Sequence, residues 1–443
     1  MMPAPPGRPP VPLWHRATSA RSHPVRIPWM NRCNETLAAV SHFVHKNLLW
    51  LMLGSYATAA LFPAAGLAIR DASIHGIGPL GVGTKISVSM IMLAALLLNA
   101  GLGVRRNQIR DMVRSPRILG LGMAANLVIP IAFIFVVSRF MSGWHNADEV
   151  QNILVGLALV ASMPIAGSST AWAQNADGEA ALSLGLVLFS TLLSPLTTPV
   201  ALHSVGLMAA GDYAEDLHEL ASAATGTFLV LGVISPALLG IAIGWVVGEA
   251  RLNAARSGLK LINSIVLLLL NYSNASVSLP QAVADPDTDF LAATLAIVAG
   301  LCVLAFGAGW LISHLIGATP SQRTSLMFGL GMNNNGTGLV LASLALADHP
   351  RVMLPIIFYN LVQHLIAGFV DKFVCRARRG ERPERLWVRC YGFLERLSKV
   401  QKTKLDTAKP LRAGAPAAGT LVAGVVGAPR WHRTDRATTK NKA

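Results

Sequence analysis

Ser162 to Gln174 read SMPIAGSSTAWAQ and Gly329 to Gly338 read GLGMNNNGTG, and each run interrupts a stretch that is otherwise apolar for the length of a membrane helix. In the first, Pro164 removes a backbone donor, Gly167 relaxes the dihedral constraint, and Ser168, Ser169 and Thr170 supply hydroxyls. In the second, Asn333, Asn334 and Asn335, followed by Thr337, are hard to hide among lipid tails, because every amide asks for several hydrogen-bond partners. Each run alone has a plain structural reading. The first is a proline kink whose hydroxyls satisfy freed carbonyls, and the second is polar glue between helices. As a pair they point to discontinuous helices, whose unwound backbone can replace a solute's hydration shell and whose restarted N-termini attract anions.

The surrounding sequence supplies the membrane. Of the 443 residues 53% are hydrophobic and 13% charged, with a mean hydropathy of +0.50, which is too apolar for a soluble domain of this size. A bilayer core takes about 20 apolar residues per helix. Apolar runs and their breakers place helices near 47–69, 86–103, 117–138, 151–173, 180–203, 225–248, 259–276, 290–316, 322–347 and 352–375. Asn34 to Lys46 reads as a short interfacial helix, with Asn34 as its cap and Leu37, Val40 and Val44 at helical spacing. The expected fold is therefore all-α and integral to the membrane, with about ten transmembrane helices. Ten divide into two fives, and an odd-numbered repeat re-enters with opposite polarity, which gives two inverted five-helix repeats with discontinuous fourth and ninth helices. The segments are a basic cytoplasmic tail with the interfacial helix (1–46), a first repeat (47–203), a second repeat (225–375) and a second basic cytoplasmic tail (376–443).

Charge tests that count. Nearly all of the formal +15 lies in the two flanks, a pattern of tails beside anionic lipid and not of a nucleic-acid-binding face. With both ends inside, Arg105, Arg106, Arg110, Arg114 and Arg117 share the cytoplasmic side with Arg251, Arg256 and Lys260. The outer loops then carry Asp148 and Glu149, Asp212 to Glu219, and Asp285 to Asp289; Arg70 and Lys85 fit this arrangement poorly. The expected location is a plasma or inner cell membrane. An Arg-rich, acid-poor N-terminus also fits a transit peptide, although its prolines oppose an amphipathic helix. Cys33, Cys302, Cys375 and Cys390 show neither metal-ligand spacing nor an obvious pairing.

Outside the two breaks, Ser183, Ser190, Thr191 and Ser194 share one helix face, where small polar residues most often mean close packing. Asn360, Gln363 and His364 follow Pro355, and His364 reads as either a satisfied structural histidine or a site residue. No Asp, Glu, Lys or Arg falls near the centre of a proposed span, which disfavours carboxylate proton relays and intramembrane aspartyl proteolysis. No HExxH is present. An enzyme is not expected, nor a cofactor.

At the two breaks the chain resembles the bile acid:sodium symporter family. The resemblance runs from about Asn47 to Phe373, through QIRDMVRSPR (Gln108 to Arg117), the stretch from Ser162 to Pro199, GLGMNNNGTG, and LPIIFYNLVQH (Leu354 to His364). It implies a core of the third to fifth and eighth to tenth helices beside a panel of the others, with the fourth and ninth helices crossing at their unwound centres. It further implies sodium held at Ser169, Thr170, Ser183, Gly329 and Asn333. Departures are specific. Gly329 stands where the family has Glu, Asn333 where it has Gln, Ser169–Thr170 where it has Ser–Asn, and Val187 where it has Thr. A third-helix Gln is matched by Ala125 or its neighbour Asn126.

The function expected from this reading is transport of a small organic anion by alternating access, with sodium as the coupled ion. Its site is Gly167, Ser168, Ser169, Thr170, Asn333, Asn334, Asn335 and Thr337, with His364 nearby. The expected partners are the anion and the lipid bilayer, with no nucleic acid. The alternatives are an uncoupled or proton-linked carrier, a passive channel, and a non-transporting sensor or scaffold that uses its basic C-terminal tail.

Overall fold

The computed structural model describes residues 28–78, 81–112, 115–346 and 348–378. The expectations for 1–27 and for the basic C-terminal tail beyond 378 lie outside them. The described residues start in α1 (Pro28–Lys46), which is continuous through Asn34, so that residue is not the cap that the sequence suggested. After Asn47 comes α2 (Leu48–Leu61). Pro63 then excludes Phe62 from the helical region, at φ −132° and ψ 66°, and α3 (Pro63–Asp71) leaves at 93°. The predicted straight span 47–69 is thus a bent pair. A hairpin that the apolar pattern does not announce follows, β1 (Ser73–Gly78) and β2 (Gly81–Ser87), antiparallel with Ser73 opposite Ser87. The Ser87 hydroxyl accepts from the Met90 amide and starts α4 (Val88–Leu102), and α5 (Arg106–Met112) turns away at 85°.

Then come α6 (Pro116–Phe140), α7 (Ala147–Ser162), α8 (Gly167–Asn175), α9 (Ala180–Gly206), α10 (Asp212–Leu220) and α11 (Ala223–Phe228). Pro236 cannot donate to the preceding turn, and a π-helical segment, Leu229–Ile234, joins α11 to α12 (Ser235–Val247), with the Ser235 hydroxyl donating to Val230 O. The remaining helices are α13 (Glu249–Ala275), α14 (Leu279–Ala284), α15 (Thr288–Leu315), α16 (Pro320–Gly331), α17 (Asn335–Ala345) and α18 (Met353–Arg378). Among the described residues, six helices are long and apolar enough to cross a membrane, or up to eight if each bent pair is one span.

Packing follows the membrane rule that small residues let backbones meet. A Cβ on Gly101 would strike the carbonyl of Ala237 and one on Gly240 the carbonyl of Leu98, so α4 and α12 touch main chain to main chain. The innermost helix is α7, buried on every side from Ile153 to Ser162. Its surroundings include Phe290, Val298 and Phe306 of α15, Leu339 and Ala342 of α17, and Ile356 and Ile357 of α18.

The acidic loops assigned to one side of the membrane do meet at one end of the molecule. The Tyr213 hydroxyl donates to Asp148 (2.6 Å), His349 lies 3.5 Å from Asp216, His145 lies 3.2 Å from Asp289, and Arg351 lies 3.9 Å from Asp287. Arg70, a misfit in the loop count, donates to Ser343 O (2.8 Å) in the last turn of α17, where the helix dipole favours a cation.

Candidate transport site at two crossing helix breaks

Extended backbone replaces helix at both polar runs. Met163, which precedes Pro164, sits at φ −78° and ψ 147°, and Met332 at φ −129° and ψ 112°. The two extended pieces pair antiparallel, Ile165 against Asn333. Ala166 N donates to Met332 O (2.9 Å) and Asn334 N to Pro164 O (2.8 Å), so each break satisfies the other.

The other backbone groups freed by unwinding can be followed one by one. Ile165 N donates to the Ser190 hydroxyl (3.0 Å), Ser162 O accepts from Thr198 Oγ1 (2.6 Å), and Val160 O accepts from Asn333 Nδ2 (2.9 Å). On the second break Asn333 N donates to Gln363 Oε1 (3.0 Å) and Gly331 O accepts from the Tyr359 hydroxyl (3.3 Å). Asn334 caps α17, its side chain accepting from Thr337 N (3.4 Å). Backbone satisfaction therefore occupies Ser190, Thr198, Gln363 and part of Asn333. It leaves over a specific set of side-chain atoms: Ser169 Oγ, Thr170 Oγ1, Asn333 Oδ1, both amide atoms of Asn335, and Thr337 Oγ1 are buried with no partner. All but Asn333 belong to the first turns of α8 and α17, where amides point outward and the dipole favours negative charge.

Of the expected site residues, Ser169, Asn333, Asn335 and Thr337 are buried at the breaks, Ser168, Thr170 and Asn334 are half-buried, and Gly167 is exposed. His364 lies one residue beyond Gln363, with Nδ1 2.8 Å from Asn360 O of its own helix; the side chain that reaches the break is Gln363. Ser190, Thr191 and Ser194 bond carbonyls of their own helix, as packing residues do.

The residues that the resemblance assigns to sodium fall between α8, α9 and α16. Ser183 Oγ is fully buried and unpartnered, like Ser169 Oγ and Thr170 Oγ1. Gly329 offers no side chain, and none would fit unaided, since a Cβ there would lie 2.8 Å from Leu186 Cδ1. The nearest acid along α9 is Glu179, one turn before Ser183 and half-buried, whose backbone carbonyl accepts from Ser325 Oγ (2.9 Å).

Two groups escaped the sequence reading. Asn271 and Asn274 on α13 are fully buried, in a run that registered only as an apolar span, and the Tyr56 hydroxyl on α2 accepts from Asn360 Nδ2 (2.8 Å). The amides of NYSN, Asn271 to Asn274, were detectable by the test applied to Asn333–Asn335, because they too lie inside an apolar stretch.

A helical chain with several apolar spans, two of its helices broken and crossing, is an integral membrane protein of the secondary-transporter class. Residues 90–284 match the model of the Sodium Bile acid symporter family. The family is one of transporters and not enzymes. The match takes in the first break and stops short of the second. Among curated proteins the chain is similar to YbaS, an uncharacterized protein of Bacillus subtilis (strain 168), at 26% identity over 54% of this chain and 76% of that one. It is also similar to YocS of the same organism, named an uncharacterized sodium-dependent transporter, at 23% identity over 67% of this chain and 87% of that one. A third relative is a probable chloroplastic sodium/metabolite cotransporter, BASS1, of Oryza sativa subsp. japonica, at 24% identity over 57% of this chain and 58% of that one.

Proposed function

We propose that this chain carries a small organic anion across the membrane, with the solute's carboxylate held between the N-termini of α8 and α17. The observation that carries the reading is the Ile165–Asn333 bridge. It joins two helices at their unwound centres and leaves Ser169, Thr170, Asn335 and Thr337 with unpartnered polar atoms in the restarted turns. Amide donors and two dipoles favour a carboxylate there without any cationic side chain. Counting α7 with α8 and α16 with α17 as one span each brings the eight spans to ten, in two five-helix halves, 47–203 and 225–375. Alternating access then consists of α6–α9 with α15–α18 rocking against α2–α5 with α11–α13, both termini staying on the cytoplasmic side.

Sodium is the coupled ion in this reading. It is supported by the names of two relatives and by four buried oxygens without partners, on Ser169, Thr170, Ser183 and Asn333. All four are neutral, and Gly329 adds no charge. Removing sodium from water without a counter-charge costs several kcal/mol or more. The solute's own carboxylate supplies that charge, so cation and anion bind together.

The test is the thermal shift of the purified full-length protein in sodium against potassium chloride at equal ionic strength, with and without small carboxylates. A bound ligand raises the midpoint as its concentration passes its dissociation constant. The expected result is a carboxylate shift that sodium deepens and that sodium alone does not produce. A protein that no carboxylate stabilises in either salt is not this carrier. A sodium shift without acid that Glu179→Gln abolishes transfers the counter-charge to Glu179.

A further inference from the structure

Buried polar side chains also stand away from the crossing, on α13. Asn271 and Asn274 are each fully buried. Asn271 Oδ1 accepts from Asn360 Nδ2 (3.4 Å) while its own Nδ2 has no partner, and neither amide atom of Asn274 has one. An unpartnered buried amide group keeps its full desolvation penalty, so apolar residues at these positions would stabilise the fold better.

Their position ties them to the crossing. Asn360, which donates to Asn271, accepts from Gln363 Nε2 (3.2 Å), and Gln363 holds the Asn333 amide. Leu270, adjacent to Asn271, has its Cδ2 3.7 Å from where a Cβ on Gly336 would be, which sets the end of α13 beside the first turn of α17.

The chemistry of the leftover atoms narrows the ligand. A carboxylate only accepts, so it cannot satisfy the amide oxygens of Asn274 and Asn335; sodium only accepts lone pairs, so it cannot satisfy their N–H groups. A group that both donates and accepts can serve both atoms of each amide. We infer that Asn271 and Asn274 bind the part of the solute remote from its carboxylate, and that this part carries hydroxyl or amide groups. The inference rests on the carrier reading above and adds the solute's second functional group to it.

The experiment is calorimetric binding of butyrate and of its monohydroxy and dihydroxy forms to the purified full-length protein and to Asn271→Ala and Asn274→Ala. The wild-type protein is expected to prefer the dihydroxy acid to butyrate by about tenfold, the worth of one or two hydrogen bonds. In Asn274→Ala that ratio falls toward one, and in Asn271→Ala it falls in part. Should Asn274→Ala fail to fold, Asn274→Ser is the substitute, with a ratio between those of wild type and Asn271→Ala. Acids that bind wild type without any hydroxyl preference, or a preference that survives both substitutions, overturn the inference and leave the carrier reading standing. A wild-type protein that binds none of the acids overturns both.

Discussion

Gln363 and His364 are neighbours on α18 with different duties. Gln363 accepts from the Asn333 amide and donates to Asn360, so Gln363→Leu strands a buried N–H and a buried amide oxygen at the crossing. The expected cost is about 1–3 kcal/mol, read as a lower unfolding midpoint in detergent. His364→Leu loses one contact to its own helix, and its midpoint falls less. Where the acidic loops meet, burial pushes the carboxyl of Asp216 above its ordinary value, against the pull of His349, with Glu219, Asp212 and Asp348 adding to the rise. A raised carboxyl pKa means that the folded protein holds the proton more tightly than the unfolded chain. Its stabilising effect is present at acid pH and is lost as pH climbs through the folded value. Asp216→Asn removes that loss, so its midpoint relative to wild type rises as pH climbs above the ordinary carboxylate value of about 4. Residue chemistry was legible in the sequence wherever polar residues came in a cluster, as at Asn333–Asn335. It was not legible where the partner is distant in the chain, as for Gln363 and Asn333, because helical spacing fixes a residue's face and not what meets it.

Helix boundaries depend mostly on local rules, and most of them were visible in the chain. Pro63, Pro164 and Pro320 mark a bend, a break and a start, each by removing a donor or displacing the residue before it. The β1–β2 hairpin was invisible to a search for apolar runs, since its glycine-rich sequence has neither a long run nor a clean alternation. The α4–α12 contact gives the test at this scale. Gly240→Leu drives a side chain into the Leu98 carbonyl and is expected to cost at least the 1–3 kcal/mol or so of core overpacking. The same change at Gly120, where a Cβ meets nothing, is expected to be neutral in expression and monodispersity.

For the whole molecule, the proposed rocking motion requires contacts between the two helix groups to break in each cycle. Arg70 on α3 and Ser343 on α17 form one such contact. Arg70→Cys with Ser343→Cys, in a background with Cys33, Cys302, Cys375 and Cys390 replaced by Ser, is expected to arrest solute uptake when bridged by a bifunctional methanethiosulfonate reagent that spans the length of the lost Arg70 side chain, and to recover it with reductant. Uptake that ignores the cross-link contradicts the motion. Composition, apolar runs and the two polar interruptions determined by themselves that this chain lives in a membrane and that its helices break at those two runs, because solvent preference and backbone donors are local properties. Which atoms the crossing uses up, which it leaves without a partner, that α13 sets Leu270 beside Gly336 of α17 and Asn271 against Asn360 of α18, and that Leu186 crowds Gly329 were decided only by the tertiary structure. Those facts are distances between residues far apart in the chain, and only packing sets them.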